Sequence, residues 1–175
     1  MHWMLLPLKR YAEFSGRSRR KEYWFFFLGV MLFYLAMIVL MMVLVGGALF
    51  SALQGGGSAD PASVAPVLGQ GMFAILIGMA IVLAWFALLV PSIAVGVRRL
   101  HDIDRSGWWL MLGYGPWILG IVLAPALSET LADILSLGSM LGWIAVLVMA
   151  VLPGTQGTNR FGSDPKGEDL SEVFA

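Results

Sequence analysis

The chain has 175 residues, 59% of them apolar and 13% charged, with eleven basic and eleven acidic side chains and no cysteine. That is too few ionic groups to solvate an ordinary globular surface, so lipid must cover part of the molecule. The missing cysteines exclude a disulfide framework, a thiolate nucleophile and a Cys-ligated metal.

Residues 1–21 mix Trp3, Met4, Leu6, Tyr11 and Phe14 with Lys9, Arg10 and Glu13, which suits a short helix lying along a membrane surface, with Pro7 in its middle. The apolar run 25–50 is too long for the core of a cleaved signal peptide and is expected to stay as an anchor. Gly46 and Gly47 weaken its far end, and Ser51 to Gln70, with Gly55-Gly56-Gly57, Pro61 and Pro66, reads as a flexible outer loop. A second span, 71–97, returns the chain. Pro91 there removes a backbone donor and crowds the carbonyl of Ala87, which predicts a kink, and Ser92 is placed to satisfy the freed group.

The third span, 109–127, opens at the Trp108-Trp109 pair, with Gly113, Gly115 and Pro116 as points of distortion. A short outer turn, Ser128 to Asp133, leads to the fourth span, 134–152. That span carries Gly138-Ser-Met-Leu-Gly142, a small-xxx-small pattern better explained by packing within the chain than by a dimer contact. Residues 153–175 form a polar tail. The expected fold is an all-α membrane protein: four transmembrane helices as two hairpins, with a short N-terminal interfacial helix, in one domain over 1–175.

Sidedness follows from the charges. Every Lys and Arg falls within Lys9 to Lys21, Arg98 to Arg105 or Arg160 to Lys166, and basic loops are retained in the cytoplasm during insertion. Both termini are therefore expected inside, and Asp60, Glu129 and Asp133 outside. Trp3, Trp24, Trp108 and Trp109 fall at the inferred inner boundary, where an indole buries its ring and keeps its N–H wet. Trp85, Trp117 and Trp143 read as packing residues within spans. None of the four spans holds an Asp, Glu, Lys, Arg or His, which disfavours a proton-coupled transporter.

Three segments meet at the inner edge: Phe14-Ser-Gly-Arg-Ser-Arg-Arg-Lys-Glu-Tyr-Trp24; Pro91 followed by Arg98-Arg-Leu-His-Asp-Ile-Asp-Arg-Ser-Gly-Trp-Trp109; and Pro153-Gly-Thr-Gln-Gly-Thr-Asn-Arg-Phe-Gly-Ser-Asp-Pro165. In this order and spacing they resemble the domain of unknown function 805 family of small bacterial inner-membrane proteins. The resemblance implies a bacterial inner-membrane location and a four-helix body, and it brings no catalytic residues with it.

The hairpins would bring Arg17, Arg19, Arg20, Lys21, Arg98, Arg99, Arg105 and Arg160 to one face, with Glu22, Asp102, Asp104 and Asp164 as partners inside the chain. The rest are free for anionic lipid, each interaction contributing about 1 kcal/mol near such a surface. One reading is that these charges set topology and staple the helix ends together. The other is a phosphate pocket of arginine forks and backbone N–H groups from Gly154 to Gly162.

His101 beside Asp102 raises metal or general-base chemistry, but with no second reliable histidine a metal would need Asp104 and Asp164 as well. A structural His101, bonded to a loop carbonyl or to Asp102, is the simpler expectation. Asn159 and Asp164 read as turn formers. The function expected is a non-enzymatic membrane protein, without metal, cofactor or nucleic acid, that associates with itself, a protein partner or anionic lipid through its arginine-rich face. The alternatives are a membrane-surface enzyme acting on a lipid or phosphorylated substrate, and an oligomeric transporter or channel using backbone carbonyls freed at Pro91 or Pro116.

Overall fold

A computed structural model describes residues 2–54 and 61–167; the glycine-rich loop with Asp60, and the tail beyond Gly167, lie outside the described residues. The chain is all-α: α1 (His2–Lys9), α2 (Arg20–Gln54), α3 (Pro61–Asp102), a 3-10 turn (Gly107–Leu110), α4 (Met111–Leu123) and α5 (Glu129–Val151). Four stretches are long and apolar enough to cross a membrane, namely Arg20–Phe50, Val67–Asp102, Gly107–Ala126 and Glu129–Val151. Two compact units divide the chain, Met1–Phe26 with Pro91–Ala175, and Phe27–Val90.

In the unit Phe27–Val90, the Met41 side chain packs on Gly78 and the Gln70 amide lies against Gly47. Ala74 is buried, while Met31, Leu35, Met42, Leu83 and Phe86 are exposed. A helix apolar on all sides is one that lipid can solvate. The connection between α2 and α3 is shorter than the expected loop over Ser51 to Gln70, since α2 runs to Gln54 and α3 starts at Pro61. Proline suits a first helical turn, where its missing N–H has no intrahelical role. Helix α3 also continues unbroken through Pro91.

The other unit is organised by α4 against α5. Pro116 lies inside α4 and has no N–H to offer the carbonyl of Leu112. That carbonyl instead faces Gly142 of α5, where any Cβ would overlap it. One residue on, the Gly113 carbonyl accepts the Ser139 hydroxyl at 2.9 Å, and a Cβ at Gly113 would sit 2.7 Å from the Trp143 ring. The small residues therefore serve close packing inside the chain, as weighed from the sequence. Helix α4 stays α-helical through Gly113, Gly115 and Pro116, and the departures from α geometry come at its two ends, in Gly107–Leu110 and Ala124–Ala126.

Helix α5 begins at Glu129, so the expected outer turn over Ser128 to Asp133 shrinks. Ser128 caps it, its hydroxyl accepting from the N–H of Leu131 at 3.4 Å, and Glu129 favours the positive end of the helix dipole. Leu100, Leu110 and Val146 form the buried core of this unit, with Tyr114 and Trp143 packed edge-on beside it. Of the three tryptophans expected to pack, Trp143 fits against Gly113 and Tyr114 and Trp85 lies edge-on to Phe86, while Trp85 and Trp117 keep 38% and 42% of their surface exposed.

Candidate functional site

Helix α3 stops where the site begins. The N–H of Arg105 bonds the carbonyl of Leu100 at 2.9 Å, and that of Asp104 bonds His101 at 3.0 Å. This is a Schellman motif with Asp104, φ 57°, in the left-handed position usually held by glycine. The turn leaves Arg98, Arg99 and Asp102 on the last helical turns, where Arg98 and Arg99 are 0% and 1% exposed.

Asp102 is the hub. One carboxylate oxygen accepts Arg17 Nε at 3.0 Å and the other accepts Arg99. Its backbone carbonyl takes the N–H of Thr155 at 2.8 Å. Gly154 passes so close that a Cβ there would collide with the carboxylate. Arg17 also donates to the carbonyls of Gly157, at 2.6 Å, and Thr155. Arg99 donates to the carbonyls of Ala150, at 2.9 Å, and Leu152, and Arg20 reaches Leu152 at 3.0 Å. The last carbonyls of a helix lack intrahelical partners and carry its negative end, so these guanidinium groups cap α5.

Arg98 makes a second buried pair, its Nη2 donating to Glu22 of α2 at 2.9 Å. Nη1 bonds the Glu13 carbonyl at 2.9 Å, which ties in the segment after α1, and its Nε–H has no acceptor among the described residues. The Glu13 carboxylate is held below its ordinary pKa first by its hydrogen bonds from Arg10, with the Arg10 and Arg98 charges adding to them.

The tail is strapped over this layer. Asn159 donates to the His101 carbonyl and to the Thr155 hydroxyl, both at 2.9 Å, while its own side-chain oxygen accepts the N–H of Phe161. Arg19 bonds the Pro165 carbonyl at 2.7 Å and lies 5.6 Å from the Trp3 ring. Exposed Arg160 pairs with Asp104 at 3.1 Å. Asp164 accepts the N–H of Lys166 at 2.9 Å and of Gly157 at 3.2 Å. Those bonds, Lys166 first, together with the Arg17 and Lys166 charges, hold its pKa below the ordinary aspartate value.

His101 turns from Asp102. Its Nδ1 lies 3.1 Å from the Gly16 carbonyl, so this nitrogen carries the proton, and the ring stacks on Phe161 with centroids 3.9 Å apart. Asp104 and Asp164 do not converge on it, and no three His, Asp or Glu side chains gather in metal-binding geometry among the described residues. The N–H groups of Thr155, Gly157, Asn159, Phe161 and Gly162 already have acceptors in the chain. The tail also offers the carbonyls of Thr155, Gly157 and Pro165 to arginines.

Arg17, Arg98, Arg99, Glu22 and Asp102 come together in a buried layer, and Arg19, Arg20, Arg160, His101, Asp104, Asn159 and Asp164 surround it, while Arg105 stands apart on the Trp109 ring. Sequence reasoning did not assign Glu13, Thr155, Phe161 or the α5 carbonyls to this layer. The one signal that could have marked it is Gly154 after Pro153, since a glycine permits close backbone approach.

The chain matches the family described as "Protein of unknown function (DUF805)" over residues 11–163. It is 33% identical to inner membrane protein YhaI of Escherichia coli K12 over 166 residues, 95% of this chain and 97% of that protein. It is also 33% identical to inner membrane protein YhaH of the same strain over 168 residues, covering 96% and 99%. A shorter similarity, 32% over 84 residues, joins it to the E. coli protein YiiR. No solved structure matches the chain. The three arginine-bearing segments fall within or at the border of the matched region, whose residues also build the buried arginine layer, and the chain belongs to the DUF805 family of membrane proteins.

Proposed function

We propose that the protein is a single-domain, non-enzymatic inner-membrane protein with both termini in the cytoplasm, whose arginine-rich end is a preorganised platform for anionic lipid headgroups. The observation that carries this reading is the division of labour among its cations. Arg17, Arg98 and Arg99 are buried and bonded inside the chain, so they hold the platform together. Lys9, Lys21, Arg105 and Lys166 are exposed around it, where an anionic leaflet attracts them. Asp102 faces arginines and His101 faces a backbone carbonyl, an arrangement that supports a structural rather than an acid–base pair.

The test is lipid analysis of the full chain extracted in native-membrane nanodiscs. Enrichment of anionic over zwitterionic lipid is expected, and it should fall stepwise as Lys9, Lys21 and Lys166 are changed to Gln. No enrichment, with a stable homo-oligomer or a stoichiometric protein partner in the same particles, would overturn the lipid reading in favour of protein association.

A further inference from the structure

Among the described residues, six of the seven candidate-site arginines donate to acceptors in the chain: Arg17 and Arg99 to Asp102, Arg98 to Glu22, Arg19 to Pro165, Arg20 to Leu152 and Arg160 to Asp104. Arg105 differs. Its guanidinium has no carboxylate or carbonyl partner among the described residues and lies over the Trp109 ring, 5.5 Å from its centroid. The same ring lines a groove of about 310 Å³ with Ser106, Trp108, Met111 and Leu112. Trp108 is 80% exposed, more than any other large apolar side chain described. The Ser106 hydroxyl, at the mouth of the 3-10 turn, makes no capping bond.

We propose that Arg105, Ser106 and the Trp108–Trp109 groove bind one anionic phospholipid, its phosphate on the guanidinium and the Ser106 hydroxyl and an acyl chain along Met111 and Leu112. The guanidinium fork matches two phosphate oxygens and keeps its charge when stacked on an aromatic face. Indoles settle at the headgroup level, and the groove opens where the apolar stretch Gly107–Ala126 begins. A free phosphate would use the guanidinium and leave the apolar lining without a role, so the combination selects a lipid. This inference rests on the headgroup-platform reading and narrows it to one site.

Native mass spectrometry of the full chain, with phosphatidylglycerol and phosphatidylcholine offered together, tests it. Wild type should retain one phosphatidylglycerol in preference. Arg105→Gln should weaken that retention about tenfold, as loss of a charged hydrogen-bond pair implies, and Trp108→Ala should weaken it with the charge intact. Lys21→Gln, one diffuse contribution among several, should weaken it much less than Arg105→Gln does. Equal losses for Lys21→Gln and Arg105→Gln would overturn the site while leaving the diffuse platform standing, and absence of any anionic preference would overturn both. Displacement of the lipid by equimolar inorganic phosphate would overturn the role of the groove. Arg105 and Trp108 are exposed, and an unchanged circular dichroism melt checks that each variant folds.

Discussion

Asp102 accepts from Arg17 and Arg99 while 5% exposed, so Asp102→Asn would leave two guanidinium groups without a counter-charge. Breaking a buried ion pair from one side costs about 3–5 kcal/mol, a loss that thermal unfolding in detergent will read; Asp104→Asn, at a half-exposed pair, should cost less than about 1 kcal/mol. Gly154→Ala should mimic the Asp102 lesion by driving a methyl into the carboxylate. Asp164 gives a pH signature. Its folded pKa is depressed, so its contribution is present above the unfolded value and fades as pH falls through the lower folded one, below about pH 4. Faster amide exchange at Gly157 and Lys166 in that range, absent in Asp164→Asn, is the expected readout. The charged residues of this layer were visible in the sequence as three clusters, but their partners are mostly backbone carbonyls, which every residue possesses and no side-chain pattern marks.

Among the elements, the α4–α5 pair depends on a proline and a glycine acting across the interface. Pro116 releases the Leu112 carbonyl and Gly142 leaves room for it. Gly142→Ala should therefore separate the helices and lower the melting temperature more than Gly120→Ala, where a Cβ meets nothing within 4 Å. Equal effects would show that helix propensity, not contact, governs both. The four apolar stretches were legible because membrane helices need long uncharged runs. Their ends were less so. Ser51–Gln54, Pro61–Gln70 and Glu129–Asp133 are helical although each is rich in polar or small residues, because once a helix is anchored by its apolar part, adding a residue to its end costs little. The end of α3 likewise rests on a left-handed Asp104, a conformation that aspartate tolerates without requiring it.

For the whole molecule, the sidedness argument makes a prediction that the chain is well suited to test, since it has no cysteine of its own. A single cysteine at Ser163→Cys should resist an impermeant thiol reagent in intact cells and react after permeabilisation, and one at Thr130→Cys should react in both. The reverse pattern would invert the orientation proposed here. Sequence by itself determined the membrane class, the number of apolar crossings and the family, because hydrocarbon excludes charge and the resulting pattern is written directly along the chain. Only the tertiary structure decided which arginines are internal fasteners and which remain outward. That distinction depends on the carbonyls of α5 and the tail arriving beside Arg17 and Arg99, and on Arg105 leaving the Schellman turn toward the Trp109 ring, with no acceptor among the described residues. It arises between segments more than fifty residues apart, which no local pattern encodes.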